Sequence, residues 1–340
     1  MNRLKEIDVI RAFVVVVLVV YHAFAPFASG WVMPSGLTNN IIYYWFAKLC
    51  YSGMLETFVF ISGYVFAYSA AKRDISFSKL ISSKFKRLLI PSICWGIIMN
   101  MIFFSDAKWF TFNFWIEIIN GYAHFWFLPM LFWVFIFNFL VKKYESKIKY
   151  LNGIIVILAI LPYPTLPMGI NNAFYYLAFF HFGCLCFYGR QKLQNIPNIK
   201  IGFIVLLYIV LFVISTELIN SSLLDLNAAS SLLHKACLIC CGTILKFIYS
   251  IIVVFAYYLI FSKLSIKISE SFYEKINFVA RYSFGVYILH QIIIMLLYYK
   301  TSLSLILGLF SPWIVFIITF ATSIVFSTLL SKGKLTKYII

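Results

Sequence analysis

The chain of 340 residues is 63% hydrophobic and only 11% charged, whereas a soluble domain carries about 25% charged residues. This composition excludes a soluble globular protein and indicates an integral membrane protein. The formal net charge of +17 would suit nucleic acid or an anionic surface. The distribution of the basic residues argues against nucleic acid as a partner, because they are concentrated between apolar runs on one side of a predicted membrane.

Apolar runs of about 20 residues recur along the chain, and each is long enough to cross a hydrocarbon core of about 30 Å. The predicted spans are 8–28, 53–71, 88–105, 122–141, 151–168, 172–188, 201–218, 236–262, 278–298 and 309–331. Most of the 28 lysines and arginines lie on the side of the N-terminus. The positive-inside rule therefore places both termini in the cytoplasm. We expect an all-α, polytopic bundle of about ten transmembrane helices in the cell membrane.

The first span begins beside the charged segment NRLKEID, which predicts a retained helix rather than a cleaved signal peptide. Residues 1–340 are expected to form a single integral-membrane domain without a fused soluble domain. The cysteines lie in or beside apolar spans, where cysteine behaves as a small hydrophobic residue. Because no histidine–carboxylate set accompanies them, we expect no metal site.

Arg11 and His22 are the most informative polar residues of the first span. They are eleven residues apart, which is three helical turns plus about 20°, so both side chains share one face. His22 is expected about 16 Å deeper in the bilayer than Arg11. Ionisable residues inside a membrane usually mark a pathway or a site.

Glu56 lies a few residues inside the outer end of the second predicted span, at a depth similar to that of His22. A contact between Glu56 and His22 is therefore sterically plausible, and the carboxylate would orient the imidazole as a general base. The alternative is a hydrogen bond that only holds two helices together.

Basic residues near the start of two spans predict an anion site at the cytoplasmic face. Asp8 precedes Arg11 by one turn and can pair with it. Arg87 and Lys84 begin the third span, and arginine and lysine suit phosphate groups. A phosphate-bearing donor fits these residues, and anionic lipid headgroups fit them equally well.

Three further histidines, His124, His181 and His290, lie in or beside the fourth, sixth and ninth spans. They are secondary candidates for function. Each alternatively makes a hydrogen bond between helices.

These segments together resemble the membrane-bound acyltransferase 3 family, whose members transfer acyl groups to extracytoplasmic carbohydrates. The resemblance rests on EIDVIRAFVVVVLVVYHA, ETFVFISGYVF, KFKRLLIPSICW, HFWFLPML and ARYSFGVYILHQIII, in this order over residues 1–298. It implies that His22 is the catalytic histidine and that Arg11 helps to bind the donor, usually an acyl-CoA. Many members carry an acid at the position of Glu56. Lys84 replaces the first arginine of the family's basic motif, which keeps the charge but loses the bidentate fork.

The resemblance implies an O-acetyltransferase with no bound cofactor and acetyl-CoA as donor substrate. The acceptor would be a hydroxyl of a lipid-linked or surface glycan, such as an O-antigen, a capsule or an exopolysaccharide. The donor arm is expected to run along the Arg11–His22 face, with membrane lipids around the bundle. His22 would act either as a general base or as a transient acyl carrier. The alternatives are a transporter or flippase for a lipid-linked sugar, and an acyl-sensing or scaffold protein.

Overall fold

The computed structural model describes residues 4–103, 111–145, 147–220 and 231–333. Within these ranges the chain forms helices and no strand, which confirms the predicted all-α class. The helices are α1 (Lys5–Phe24), α2 (Ile41–Tyr51), α3 (Met54–Lys72), α4 (Phe77–Lys84), α5 (Ile90–Phe103), α6 (Phe112–Asn120), α7 (Phe127–Tyr144), α8 (Leu151–Ile160), α9 (Ile170–Gln194), α10 (Asn198–Asn220), α11 (Leu232–Lys267), α12 (Glu270–Tyr299), α13 (Leu303–Leu307) and α14 (Ser311–Lys332). A π-helical segment, Phe85–Leu89, joins α4 to α5.

Eight helical stretches among the described residues are long and apolar enough to cross a membrane, and they coincide with eight of the ten predicted spans. They are Lys5–Ala28, Ile41–Lys72, Phe77–Phe103, Ala123–Tyr144, Asn198–Leu218, His234–Lys267, Glu270–Tyr299 and Leu303–Lys332. Residues 104–105 of the third predicted span, and the end of the predicted cytoplasmic C-terminus, lie outside the described residues.

The remaining two predicted spans differ from the other eight. The fifth is α-helical only over α8, whose ten residues rise about 15 Å, half of the hydrocarbon core. Pro162 and Pro164 follow directly and end the helix, because proline has no N–H and disfavours a helical residue before it. The sixth corresponds to α9, which has 25 residues but is less apolar because it contains Asn171, Asn172 and His181.

The helices group into two compact units. Unit 1 comprises the described parts of 1–55 and 261–340, with α1, α2, α12, α13 and α14. Unit 2 comprises the described parts of 56–260, with most of α3 and α11 and the helices between them. The expectation of one integral-membrane domain stays a prediction.

In unit 1, α1 and α12 run side by side in the same direction. The hydroxyl of Tyr273 donates to a carboxylate oxygen of Asp8 near the start of both helices, and the hydroxyl of Tyr298 donates to the Ala23 carbonyl near their ends. The first and ninth predicted spans are both odd-numbered, so the predicted topology also requires them to be parallel. Two polar cross-links, at opposite ends, therefore fix the register of this helix pair.

In unit 2, α3 and α9 approach each other through glycines. A Cβ atom added to Gly63 would lie 1.9 Å from the carbonyl oxygen of Phe180, and one added to Gly183 would lie 2.1 Å from that of Phe60. Small residues allow such backbone contact between membrane helices.

Gly183→Ala is expected to lower the free energy of unfolding by about 1–3 kcal/mol, because the new methyl group collides with a backbone that has no room to move. Gly202→Ala is the matched control, since an added Cβ there meets nothing within 4 Å. It should be neutral or stabilise α10 by up to about 1 kcal/mol. Unfolding of the two variants in detergent measures these changes in the free energy of unfolding. Equal changes in Gly183→Ala and Gly202→Ala would contradict the close approach of α3 and α9.

Candidate active site

Asp8 and Arg11 lie one turn apart near the start of α1 and form the predicted ion pair. Oδ1 of Asp8 is 3.7 Å from Nη1 of Arg11, and the Tyr273 hydroxyl donates to Oδ2 over 2.8 Å. The Arg11 side chain keeps 30% of its surface exposed. A partly exposed guanidinium is able to bind a phosphate or carboxylate.

His22 lies near the end of α1, where the structure brings it together with His290 of α12. Nδ1 of His22 is 2.9 Å from the carbonyl oxygen of Leu18 and 3.3 Å from Nε2 of His290. The two imidazole rings meet edge to face with centroids 4.7 Å apart, and the indole of Trp31 lies 5.8 Å from the His22 ring. His22 is half-buried and His290 fully buried, so the pair has one accessible ring backed by one inaccessible ring.

Buried side chains line the face of α1 between Arg11 and His22, and the expected path of the donor arm along this face stays a prediction. Val15 and Leu18 occupy the intermediate turns on this face and are only 0% and 1% exposed. The helical spacing predicted the shared face correctly, but it carries no information on what packs against that face. A donor arm is able to run along the Arg11–His22 face only after the side chains of Val15 and Leu18 move.

Glu56 is 3% exposed and lies at the centre of a polar cluster in unit 2. Its Oε1 atom accepts a hydrogen bond of 3.1 Å from the hydroxyl of Tyr175 and lies 3.7 Å from Nζ of Lys246. The ammonium group of Lys246 is also 5.1 Å from the centroid of the Tyr175 ring. The cluster thus neutralises a buried carboxylate. The predicted pairing of Glu56 with His22 stays a prediction.

The sequence singled out neither Tyr175 nor Lys246 as a site residue. The sequence could have indicated Lys246, because it is a cation inside a predicted span and a buried charge needs a partner. The sequence contained no indication of a role for Tyr175, since tyrosine is common in the aromatic regions of membrane helices.

The predicted basic residues of the third span lie at the junction of α4 and the π-helical segment. Pro91 has no N–H to donate to the carbonyl of Arg87, which favours the change of helical register just before it. Nζ of Lys84 lies 3.6 Å from the centroid of the Phe135 ring, whereas the side chain of Arg87 is exposed. Arg87 is therefore available to an anion, while Lys84 is engaged with an aromatic face.

The other two predicted histidines lie in separate surroundings. His124 is buried against Phe125, with ring centroids 3.9 Å apart, and follows Ala123, whose φ of 51° is unusual for a non-glycine residue. Nε2 of His181 is 2.8 Å from the side-chain oxygen of Asn152, which is the interhelical hydrogen bond that the sequence allowed. Within the described ranges, histidine, cysteine and carboxylate side chains form no group of three that could hold a metal ion.

A family model described as an acyltransferase domain matches residues 4–332, which is nearly the whole chain. No curated protein and no solved structure matches the chain. The matched range includes every predicted site residue.

The buried position of Glu56 predicts a stability effect. Glu56→Gln keeps an acceptor for Tyr175 but removes the charge that faces Lys246. Since the Lys246 side chain is 34% exposed, water screens part of the loss, and we expect the free energy of unfolding to fall by about 1–2 kcal/mol.

Glu270→Gln is the control, because its ion pair with Lys5 is exposed and should contribute at most about 0.5 kcal/mol. Chemical unfolding in detergent compares the two variants. A loss for Glu56→Gln no larger than that for Glu270→Gln would contradict the buried cluster.

Proposed function

The chain belongs to the acyltransferase 3 family of membrane enzymes, and on this premise we propose that it is an O-acetyltransferase of the cell membrane. It takes an acetyl group from cytoplasmic acetyl-CoA and transfers it to a hydroxyl of a lipid-linked or cell-surface carbohydrate. The observation that carries the proposal is the half-buried His22 imidazole on the same helix face as the Asp8–Arg11 pair. The family match over residues 4–332 supports acyl transfer as the chemistry.

Arg11 is proposed to bind a phosphate of the donor. Its carboxylate partner, Asp8, accepts a hydrogen bond from Tyr273, and the Arg11 side chain keeps 30% of its surface exposed. Charge-assisted bonds from arginine to phosphate are short and often bidentate. Arg87 and Lys84 stay sequence-based candidates for the same role, and the exposure of Arg87 favours it over Lys84.

His22 is proposed to carry the acyl-transfer step by one of two routes. As a general base, it takes the proton of the acceptor hydroxyl while the oxygen attacks the thioester carbon. The C–O bond forms, the C–S bond breaks, and the imidazolium returns its proton to the coenzyme A sulfur. As a nucleophile, His22 first forms an acyl-imidazolium while the C–S bond breaks and coenzyme A leaves as a thiolate. The acceptor oxygen then displaces the imidazole, and the hydroxyl proton passes to the thiolate.

The packing of α1 adds one requirement to this proposal. Because Val15 and Leu18 are buried between Arg11 and His22, a donor arm held at Arg11 reaches the imidazole only if these side chains yield or if the arm passes beside them. The proposal therefore includes a local rearrangement on donor binding.

A carrier for a lipid-linked sugar is the competing function. Proteoliposomes containing the protein, acetyl-CoA and the host's lipid-linked glycans separate the two. An enzyme releases coenzyme A and yields acetylated glycan by mass spectrometry, whereas a carrier moves unmodified glycan without coenzyme A release.

In this assay His22→Ala is expected to lower kcat by about 10²- to 10⁴-fold, which is the usual contribution of a positioned base. The folded state of the variant is checked by its unfolding temperature. Acetylation by folded His22→Ala at the native rate would remove His22 from the mechanism.

Arg11→Ala is expected to raise the KM for acetyl-CoA by about tenfold or more, since a hydrogen bond between charged groups contributes about 1.5–3 kcal/mol. The KM of Arg11→Lys should lie between those of the native protein and Arg11→Ala, because lysine keeps the charge without the planar guanidinium. Lys5→Ala, a second cation lost from the same helix, serves as the control. An unchanged KM in Arg11→Ala would place the donor phosphates elsewhere.

A further inference from the structure

His290 is a fully buried imidazole whose protonated nitrogen is set by its own helix. Its Nδ1 atom lies 2.7 Å from the carbonyl oxygen of Tyr287 and 3.1 Å from that of Val286. A carbonyl oxygen only accepts hydrogen bonds, so Nδ1 carries the hydrogen. In the neutral ring Nε2 is then an acceptor, and this is the atom that faces His22.

The same reasoning assigns the hydrogen of His22. Its Nδ1 atom lies 2.9 Å from the Leu18 carbonyl oxygen, which again requires an N–H at that position. The hydrogen is shared between Leu18 and Nε2 of His290, 3.3 Å away. Any other placement of hydrogens on the ring nitrogens of His22 and His290 brings two lone pairs or two hydrogens into direct contact. One arrangement of the hydrogens therefore satisfies all four contacts.

We propose that His290 is a positioning residue that holds His22 as the Nδ1–H tautomer, so that Nε2 of His22 is the reacting atom. The tautomer is assigned from the hydrogen-bond distances alone. Its consequence for catalysis rests on the proposed function. When Nε2 takes the acceptor proton, the Nδ1–H group becomes part of an imidazolium. Its bonds to the carbonyl and to His290 are then charge-assisted and stronger. The proton later passes from Nε2 to the coenzyme A sulfur, and Nδ1 keeps its hydrogen throughout.

Two hydrogen bonds join the same helix pair away from the rings. Tyr273 bonds to Asp8 before the histidines, and Tyr298 bonds to the Ala23 carbonyl just after them. Tyr21 and Trp31 pack on the His22 ring, with centroids 4.9 and 5.8 Å away. Loss of a residue that orients a reacting side chain typically lowers activity by about 10- to 100-fold.

The first test is nitrogen NMR of ¹⁵N-histidine-labelled protein in lipid bilayers, with the His22 signal assigned by its loss in His22→Ala. We expect a protonated Nδ1 and an unprotonated Nε2 at His22. A protonated Nε2 in the neutral ring would overturn the proposal. This readout does not depend on acyl transfer, so failure of the proposed function leaves it interpretable.

The second test compares kinetics of coenzyme A release from acetyl-CoA with the host's lipid-linked glycans as acceptor. His290→Leu should lower kcat by about 10- to 100-fold while the KM for acetyl-CoA changes less than about twofold. His290→Gln should restore most of kcat, because its amide oxygen provides an acceptor near the position of Nε2.

Tyr298→Phe is the matched structural control, since it breaks a neighbouring bond between the same helices. It should lower the unfolding temperature by about 2–4 °C and leave kcat within about twofold. Equal kcat losses in His290→Leu, His290→Gln and Tyr298→Phe would overturn a positioning role and leave His290 as packing. Loss of activity in His22→Ala with native kcat in His290→Leu would overturn the positioning role alone.

Discussion

An imidazole placed among apolar helices needs a partner for its N–H, because an unpaired buried polar group is costly. In unit 1 the Leu18 carbonyl accepts from the Nδ1–H group of His22, which is shared with Nε2 of His290 on α12. The two helices run parallel, and the bonds from Tyr273 and Tyr298 join them at either end. The accessible ring of His22 is thus fixed by a ring that no ligand reaches.

In unit 2 a buried polar group also has partners, but it is a carboxylate rather than an imidazole. Glu56 is a carboxylate with almost no exposed surface, and a tyrosine hydroxyl and a lysine ammonium group neutralise it. Nearby helices α3 and α9 meet through Gly63 and Gly183, where backbone lies directly against backbone. Polar pairing and close backbone contact replace the hydrophobic driving force, which is weak between helices surrounded by lipid.

Eight of the ten predicted spans, the helical class and the shared face of Arg11 and His22 were predictable from the sequence, because hydrophobic length and the 3.6-residue period are local properties. The partner of His22 was not, since His290 is far away in sequence and each histidine alone fits a simple interhelical bond. The burial of Val15 and Leu18 also escaped prediction, because a valine or leucine in a membrane helix is equally expected against lipid or against protein. Tertiary packing decides such points, and a single sequence does not record it.

The central claim is that Nε2 of His22 meets the acyl group of a donor held at Arg11. A structure of the protein with a non-hydrolysable acetyl-CoA analogue in a lipid nanodisc tests it most directly. We expect the acyl carbonyl carbon about 3–3.5 Å from Nε2 of His22, with a donor phosphate on Arg11 and Val15 or Leu18 displaced. An acyl group bound away from His22, or facing the Nδ1 edge of its ring, would contradict the role proposed for His22.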